Sequence, residues 1–206
     1  GAMYKKPIIT FEGIEGSGKS LHINNVAAYL KKMGRKYIKI REPGGNLNSE
    51  KIRRLILNNK SNFDKITDLL LYLAARNENI VNIIKKNIGK KIILIDRFTD
   101  STLAYQHYGM GIDINFINTI NNFLLKNIKV SFTFLNLVNP KNMKLRLKQR
   151  KKLNRYDKFK MLFYKKVQSG FIKISNKNKK KYLKINSNLN ISINKKIIIK
   201  KINKLI

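Results

Sequence analysis

The stretch Pro7-Ile8-Ile9-Thr10-Phe11-Glu12-Gly13-Ile14-Glu15-Gly16-Ser17-Gly18-Lys19-Ser20 decides the fold. Its first five residues read as a short buried strand and its glycines as a turn. From Leu21 to Met33 the apolar side chains recur at helical spacing. Gly13 to Ser20 fits G-x-x-x-x-G-K-[ST] and lies between that strand and that helix, the setting the pattern requires. Each residue type has a chemical reason. Glycines let backbone N–H groups converge on phosphate oxygens, Lys19 reaches the β- and γ-phosphates, the Ser20 hydroxyl ligates Mg²⁺, and the helix start adds its positive end. Gly13, Ile14, Glu15, Gly16, Ser17, Gly18, Lys19 and Ser20 thus form a candidate cradle for the phosphates of a nucleoside triphosphate.

Outward from this opening, Tyr37 to Ile40 reads as a second strand, Ser49 to Asn58 as a helix and Asp64 to Lys86 as a longer helix. Lys91 to Asp96 is a third strand, Asp113 to Leu125 a helix, and Lys129 to Leu137 a fourth strand. Pro140 to Lys151 starts a basic helix, Tyr156 to Ser175 is helical, Tyr182 to Ile185 is a short strand, and Lys195 to Ile206 closes the chain as a helix. Strands separated by helices of this length specify an α/β fold: a parallel sheet with helices on both faces, joined by right-handed crossovers. No internal repeat or linker divides it, so residues 4–206 read as one domain. Gly1-Ala2-Met3 reads as a cleavage scar.

Composition narrows the function classes. The chain has 206 residues, 45 Lys or Arg against 11 Asp or Glu for a formal +34, and no Cys. Disulfide staples, cysteine-bound zinc and thiol catalysis are excluded. Apolar runs such as Ile92 to Ile95 are far shorter than the roughly 20 residues a membrane helix needs, so no membrane association is expected, and a cytoplasmic setting is. The positive charge invites a nucleic-acid reading. Lys, Ile and Asn together make up nearly half the chain, however, and a phosphate-binding groove explains the Lys but not the Ile and Asn. An A+T-rich coding sequence explains all three, so no specific nucleic-acid partner is expected.

The remaining candidates cluster in three segments. Ile92 to Ile95 ends in Asp96, which places a carboxylate at the edge of a buried strand near the Mg²⁺ and makes Asp96 a metal candidate beside Ser20. Arg97 follows, positioned to hold an incoming phosphate monoester bidentately; a salt bridge to Asp96 or Glu15 is the alternative. Arg41-Glu42-Pro43-Gly44-Gly45 is a rigid turn after the second strand. Tyr72 and Arg76, four apart on the long helix, share one face and offer an aromatic plane and a donor, although a core role for Tyr72 competes with that.

Phe11 to Ser20, Arg41 to Gly45, Leu70 to Arg76, and Asp96-Arg97-Phe98 running to Ser101 and Ala104-Tyr105-Gln106 closely resemble the bacterial thymidylate kinases. The resemblance spans nearly the whole chain. It implies a nucleoside-monophosphate-kinase-like P-loop fold with a basic helical lid around residues 141–157, a homodimer, and phosphoryl transfer from Mg·ATP to dTMP. It further implies that Arg97 binds the acceptor phosphate, Tyr72 stacks on thymine, Arg76 contacts base or phosphate, and Pro43 walls the base. Tyr105 would crowd the sugar 2′ position with Ser101 and Gln106 lining the same pocket, Arg53 would assist with phosphate, and Glu15 would touch the sugar or metal shell. Arg146, Arg150 and Arg155 match the lid region whose arginines close over ATP, and with Gly16 where some relatives carry arginine, the lid should supply that cation. Another nucleoside or nucleotide kinase on this fold, or a basic P-loop ATPase acting on nucleic acid, is the competing reading.

Overall fold

The computed structural model describes residues 4–149, 155 and 161–206, the side chain of Leu147 excepted. Among them five parallel strands, β1 (Ile8–Glu12), β2 (Tyr37–Arg41), β3 (Ile92–Asp96), β4 (Phe132–Leu137) and β5 (Tyr182–Asn186), form one sheet in the order β2-β3-β1-β4-β5. Every residue of β1 is buried, as expected of a central strand covered on both faces. The helices are α1 (Lys19–Lys32), α2 (Leu47–Leu57), α3 (Lys65–Asn79), α4 (Lys85–Asn87), α5 (Thr99–Thr102), α6 (Ile114–Leu125), α7 (Pro140–Lys148), α8 (Met161–Asn176) and α9 (Ile191–Leu205).

Two departures from the sequence reading have local causes. The long helix expected from Asp64 to Lys86 is α-helical only to Asn79, then widens into a π-helical stretch, Ile80–Ile84, that buries Ile80 and Ile84. The last helix begins at Ile191 rather than Lys195, because the Asn190 side chain accepts from the Ser192 N–H at 2.8 Å and caps it there. Asn46, Asp64 and Asp113 cap α2, α3 and α6 in the same way. The start of α1 differs: its cap is Gly18, at φ 83°, with no side chain to offer.

The two faces of the sheet are filled differently. Ile9, Phe11, Leu94, Phe132 and Phe134 turn to α1 and α9, meeting Ile23, Val26, Leu30, Ile198 and Ile202 in an apolar layer. On the other face Ile8, Ile93 and Ile95 pack with Ile80, Ile84 and Phe98, while Leu135 packs with Tyr164, Val167 and Phe171 of α8. Between those two apolar groups lie Thr10, Glu12 and Thr133, all buried, with the Thr10 and Thr133 hydroxyls 2.7 Å apart. No helix of the described residues is long and apolar enough to cross a membrane.

Candidate active site

At the carboxyl end of β1, flanked by β3 and β4, the chain turns through Gly13, Gly16 and Gly18 at φ of 150°, 73° and 83° before entering α1. A side chain at Gly13 would place its Cβ 2.7 Å from the Asn136 carbonyl oxygen, so the loop cannot take a larger residue there without moving. Ile14, Glu15, Gly16, Ser17, Gly18, Lys19, Ser20 and Arg146 line a cavity of about 310 Å³. The uncapped helix start and the glycine backbone fit a chain of phosphates.

Lys19 is 9% exposed, with its Nζ 3.1 Å from one Asp96 oxygen; Ser20 Oγ donates to the other at 3.4 Å. Burial would push the Asp96 carboxyl up, but Lys19 and Arg97 outweigh it and hold it below the usual carboxylate range, so it stays ionised. A hydroxyl and an ionised carboxylate converging beside a phosphate cradle suit Mg²⁺, which favours oxygen ligands and keeps several waters. The described residues contain no group of three or more His, Asp or Glu that would hold a metal by itself.

A second cavity, of about 280 Å³, shares Glu15, Lys19 and Ser20 with the first. Into it the structure gathers Pro43, Arg53, Tyr72, Arg76, Arg97, Ser101, Tyr105 and Gln106, drawn from the β2–α2 connection, α2, α3 and the segment after β3. Sequence reading missed Glu42, Leu57, Phe98 and Thr102 on the same wall. Thr102 had a signal, a second hydroxyl beside Ser101 at a helix start; Leu57 had none, being one of many leucines.

The cationic groups are held in definite ways. Arg97 donates to Glu15 at 2.8 Å and to Ser101 Oγ at 3.3 Å, with its guanidinium carbon 5.1 Å from the Tyr105 ring centre. Burial lowers its affinity for the proton, but Tyr105, Glu15, Asp96 and Glu12 more than compensate, and Arg97 stays charged. Arg76 is 2% exposed: its Nε donates to Glu42 at 2.9 Å, one terminal nitrogen to Asn121 at 2.7 Å and the other to Thr102 at 2.9 Å. The guanidinium expected to face the base is thus largely committed to protein partners, although Arg76 still lines the cavity. Arg53 donates to the Pro43 carbonyl at 2.6 Å, and Arg41 is paired with Glu50 at 3.0 Å. Tyr105 is 6% exposed, wedged against Phe163 and Phe171.

The expected lid arginines separate. Arg146, on α7, donates to the Gly16 carbonyl at 3.0 Å and to the Ser187 carbonyl at 2.7 Å, beside the cradle. Arg155 is ion-paired with the buried Asp68 of α3, one turn before Tyr72, and is not part of the cradle wall. Arg150 lies outside the described residues.

Comparison with known proteins agrees with this geometry. A family model described as thymidylate kinase matches residues 11–198. The chain belongs to the thymidylate kinase family. It is 40% identical to the thymidylate kinase of Thermosipho africanus over 168 residues, 81% of this chain and 83% of that one. It is 39% identical to that of Sulfurihydrogenibium sp. over 193 residues, 93% and 94% of the two chains. The crystal structure of thymidylate kinase from Ehrlichia chaffeensis superposes with a TM-score of 0.79 at 32% identity, covering 96% of this chain and 98% of that one.

Proposed function

We propose that this protein transfers the γ-phosphoryl group of Mg·ATP to dTMP, giving dTDP and ADP. The observation that carries the proposal is the shared wall: Glu15, Lys19 and Ser20 border both the phosphate cradle and the cavity with Arg97 and Tyr72. A phosphoryl group bound in one lies next to an acceptor bound in the other, as in-line transfer requires. Ser20 and Asp96 would hold Mg²⁺, which would supply neutralisation of the phosphate charge. Lys19 follows the migrating charge, and Arg146 supplies a further cation beside Gly16.

On the acceptor side Arg97 binds the monophosphate, exchanging part of its pairing with Glu15 for phosphate oxygens. Tyr72 and Pro43 flank the base, Arg76 faces a base carbonyl, and Tyr105 closes the space beside the sugar, with Ser101 and Gln106 on the same wall. Arg53 adds positive charge near Glu15. The acceptor oxygen needs no strong base, since a phosphate monoester has its second pKa at about 6, and no protein nucleophile is required. The protein works as a homodimer; exposed apolar side chains on α3 and α6, Leu70 at 49% and Phe123 at 71%, are suited to being covered by a second copy.

The test is ADP release across dTMP, dUMP, dCMP, dGMP, AMP and thymidine. An arginine donates to thymine or uracil O4 but cannot accept from the cytosine amino group. A missing methyl costs about 1–3 kcal/mol, and a mismatched buried hydrogen bond about 10⁴-fold. The expected order is dTMP above dUMP, with dCMP and the purine nucleotides far below, and thymidine, lacking the group Arg97 holds, near background. dCMP or AMP as the best acceptor would overturn the assignment.

A further inference from the structure

Glu12 closes β1 and immediately precedes Gly13 of the cradle, yet it lines neither cavity. It is 1% exposed, and its side chain crosses to the segment after β3. One carboxyl oxygen accepts from the Phe98 backbone N–H and the other from Ser101 Oγ at 2.7 Å. Arg97 immediately precedes these anchors. It has φ 68°, the left-handed region that disfavours a residue with a side chain. Its own N–H donates to the Phe11 carbonyl at 3.0 Å. The backbone on both sides of Arg97 is therefore tied to β1: upstream to the main chain of Phe11, downstream to the side chain of Glu12. Ser101 Oγ, held by Glu12, in turn accepts from the Arg97 guanidinium.

We propose that Glu12 is a positioning residue for phosphoryl transfer: it braces the arginine of the acceptor cavity against the strand that carries the phosphate cradle, and so fixes the separation of the two substrates. The inference rests on the function proposed above and adds a residue to it. Two buried donors, a backbone N–H and a hydroxyl, meet at this point, and a carboxyl group of this length offers each an acceptor oxygen on one side chain. The site is an unfavourable one for a carboxyl group. Burial, and after it the nearby Asp100, pushes Glu12 up to about 8. An apolar residue would escape that cost but would leave the Phe98 N–H without a partner and Arg97 without its downstream tie.

The test compares Glu12→Ala, Glu12→Gln and Glu12→Asp on whichever acceptor the wild type turns over best, with thermal melting and ADP affinity measured alongside. Failure of the thymidylate reading then appears in the wild type, and failure of this one in the variant ratios. A displacement of about 1 Å in reacting groups costs on the order of 100-fold. Glu12→Ala should lose about that factor in kcat/KM for the acceptor, visible in kcat as well as KM, with ADP affinity within about threefold. Glu12→Gln, which still accepts from Phe98 and can donate to Ser101, should return to within about tenfold of wild type. Glu12→Asp keeps the carboxyl group but not the reach, and should resemble Ala. If Glu12→Ala does not fold, the Gln and Asp variants decide alone. A folded Glu12→Ala enzyme with near wild-type acceptor kinetics, an active Asp variant beside an inactive Gln variant, or equal loss of acceptor and ADP binding in the Gln variant would each overturn the proposal.

Discussion

Strand β1 shows two ways of filling a protein interior within five residues. Ile9 and Phe11 point to the face covered by α1 and α9, where Phe11 stacks on Phe134 with ring centres 5.3 Å apart, and that layer is apolar throughout. Thr10 and Glu12 point the other way, into buried polar contacts: Thr10 with Thr133, Glu12 with Ser101 and, in the same region, Asp100 with Tyr182 at 2.6 Å. The ion pair of Arg76 with Glu42, at 2.8 Å, also belongs to the acceptor side. Hydrophobic burial is non-directional and favourable, so the first face holds the sheet together at little cost. Buried charges and hydroxyls are costly and directional; they fix where groups point rather than adding stability. The face carrying them is the one that builds the acceptor cavity.

This contrast separates effects on rate from effects on stability. The largest effect expected is on rate. Lys19→Ala removes the cation at the shared wall and should lower kcat by at least about 10³-fold, as loss of preorganised charge at a phosphoryl group does. Its circular dichroism spectrum should match the wild type and its melting temperature should move by only a few degrees. Near-normal turnover in folded Lys19→Ala would remove the cradle from the mechanism. Phe134→Ala should do the reverse. Deleting a fully buried ring costs about 3–5 kcal/mol, so the melting temperature and urea midpoint should fall substantially, while kcat measured well below the new transition stays within about twofold. A large kcat loss there would mean that the apolar face also positions substrates, and the distinction between the faces would fail.

How much of this was readable from sequence follows the same division. The apolar layer and the cradle were legible, because hydrophobic periodicity and the glycine spacing are local signals. The segment Thr99–Gly109 was not: it begins in Thr-Asp-Ser-Thr, a run that favours turns as much as helices, and continues as a π-helical stretch, Leu103–Gly109. All eight residues expected around the acceptor do line one cavity. What sequence could not show is which partners occupy them. Arg76 is bound by Glu42, Thr102 and Asn121, up to 45 positions away, and Arg155 by Asp68, 87 positions away. Glu12 had no role in the sequence reading, which ended the strand at Phe11, although polar residues at positions 10 and 12, two apart in an otherwise apolar strand, mark one face as different.

The smallest expected effect is the most specific to the polar face. Glu12 has its carboxyl raised from 4.5 to about 8, first by burial and then by Asp100, against the opposing pull of Ser101, Phe98 and Arg97. Asp100 is itself raised, mainly by burial, although Tyr182 and Arg76 pull it down. Folding thus favours protonated Glu12, so its contribution to stability is complete below the unfolded value of 4.5 and is lost as pH climbs through about 8. Between pH 6 and pH 8 a single group of this kind removes about 2 kcal/mol. Glu42, also raised by burial, adds a slope of the same sign, so the wild-type profile alone does not isolate Glu12. The difference between wild type and Glu12→Gln does. Gln cannot ionise, and its presence also relieves Asp100 of a neighbouring charge, so the variant's stability should fall less across this interval. Urea unfolding at pH 6, 7 and 8 measures it. Parallel pH profiles for the two proteins would mean that Glu12 is ionised at no unusual cost, and the polar face would then be less costly to build than the contrast with its apolar counterpart requires.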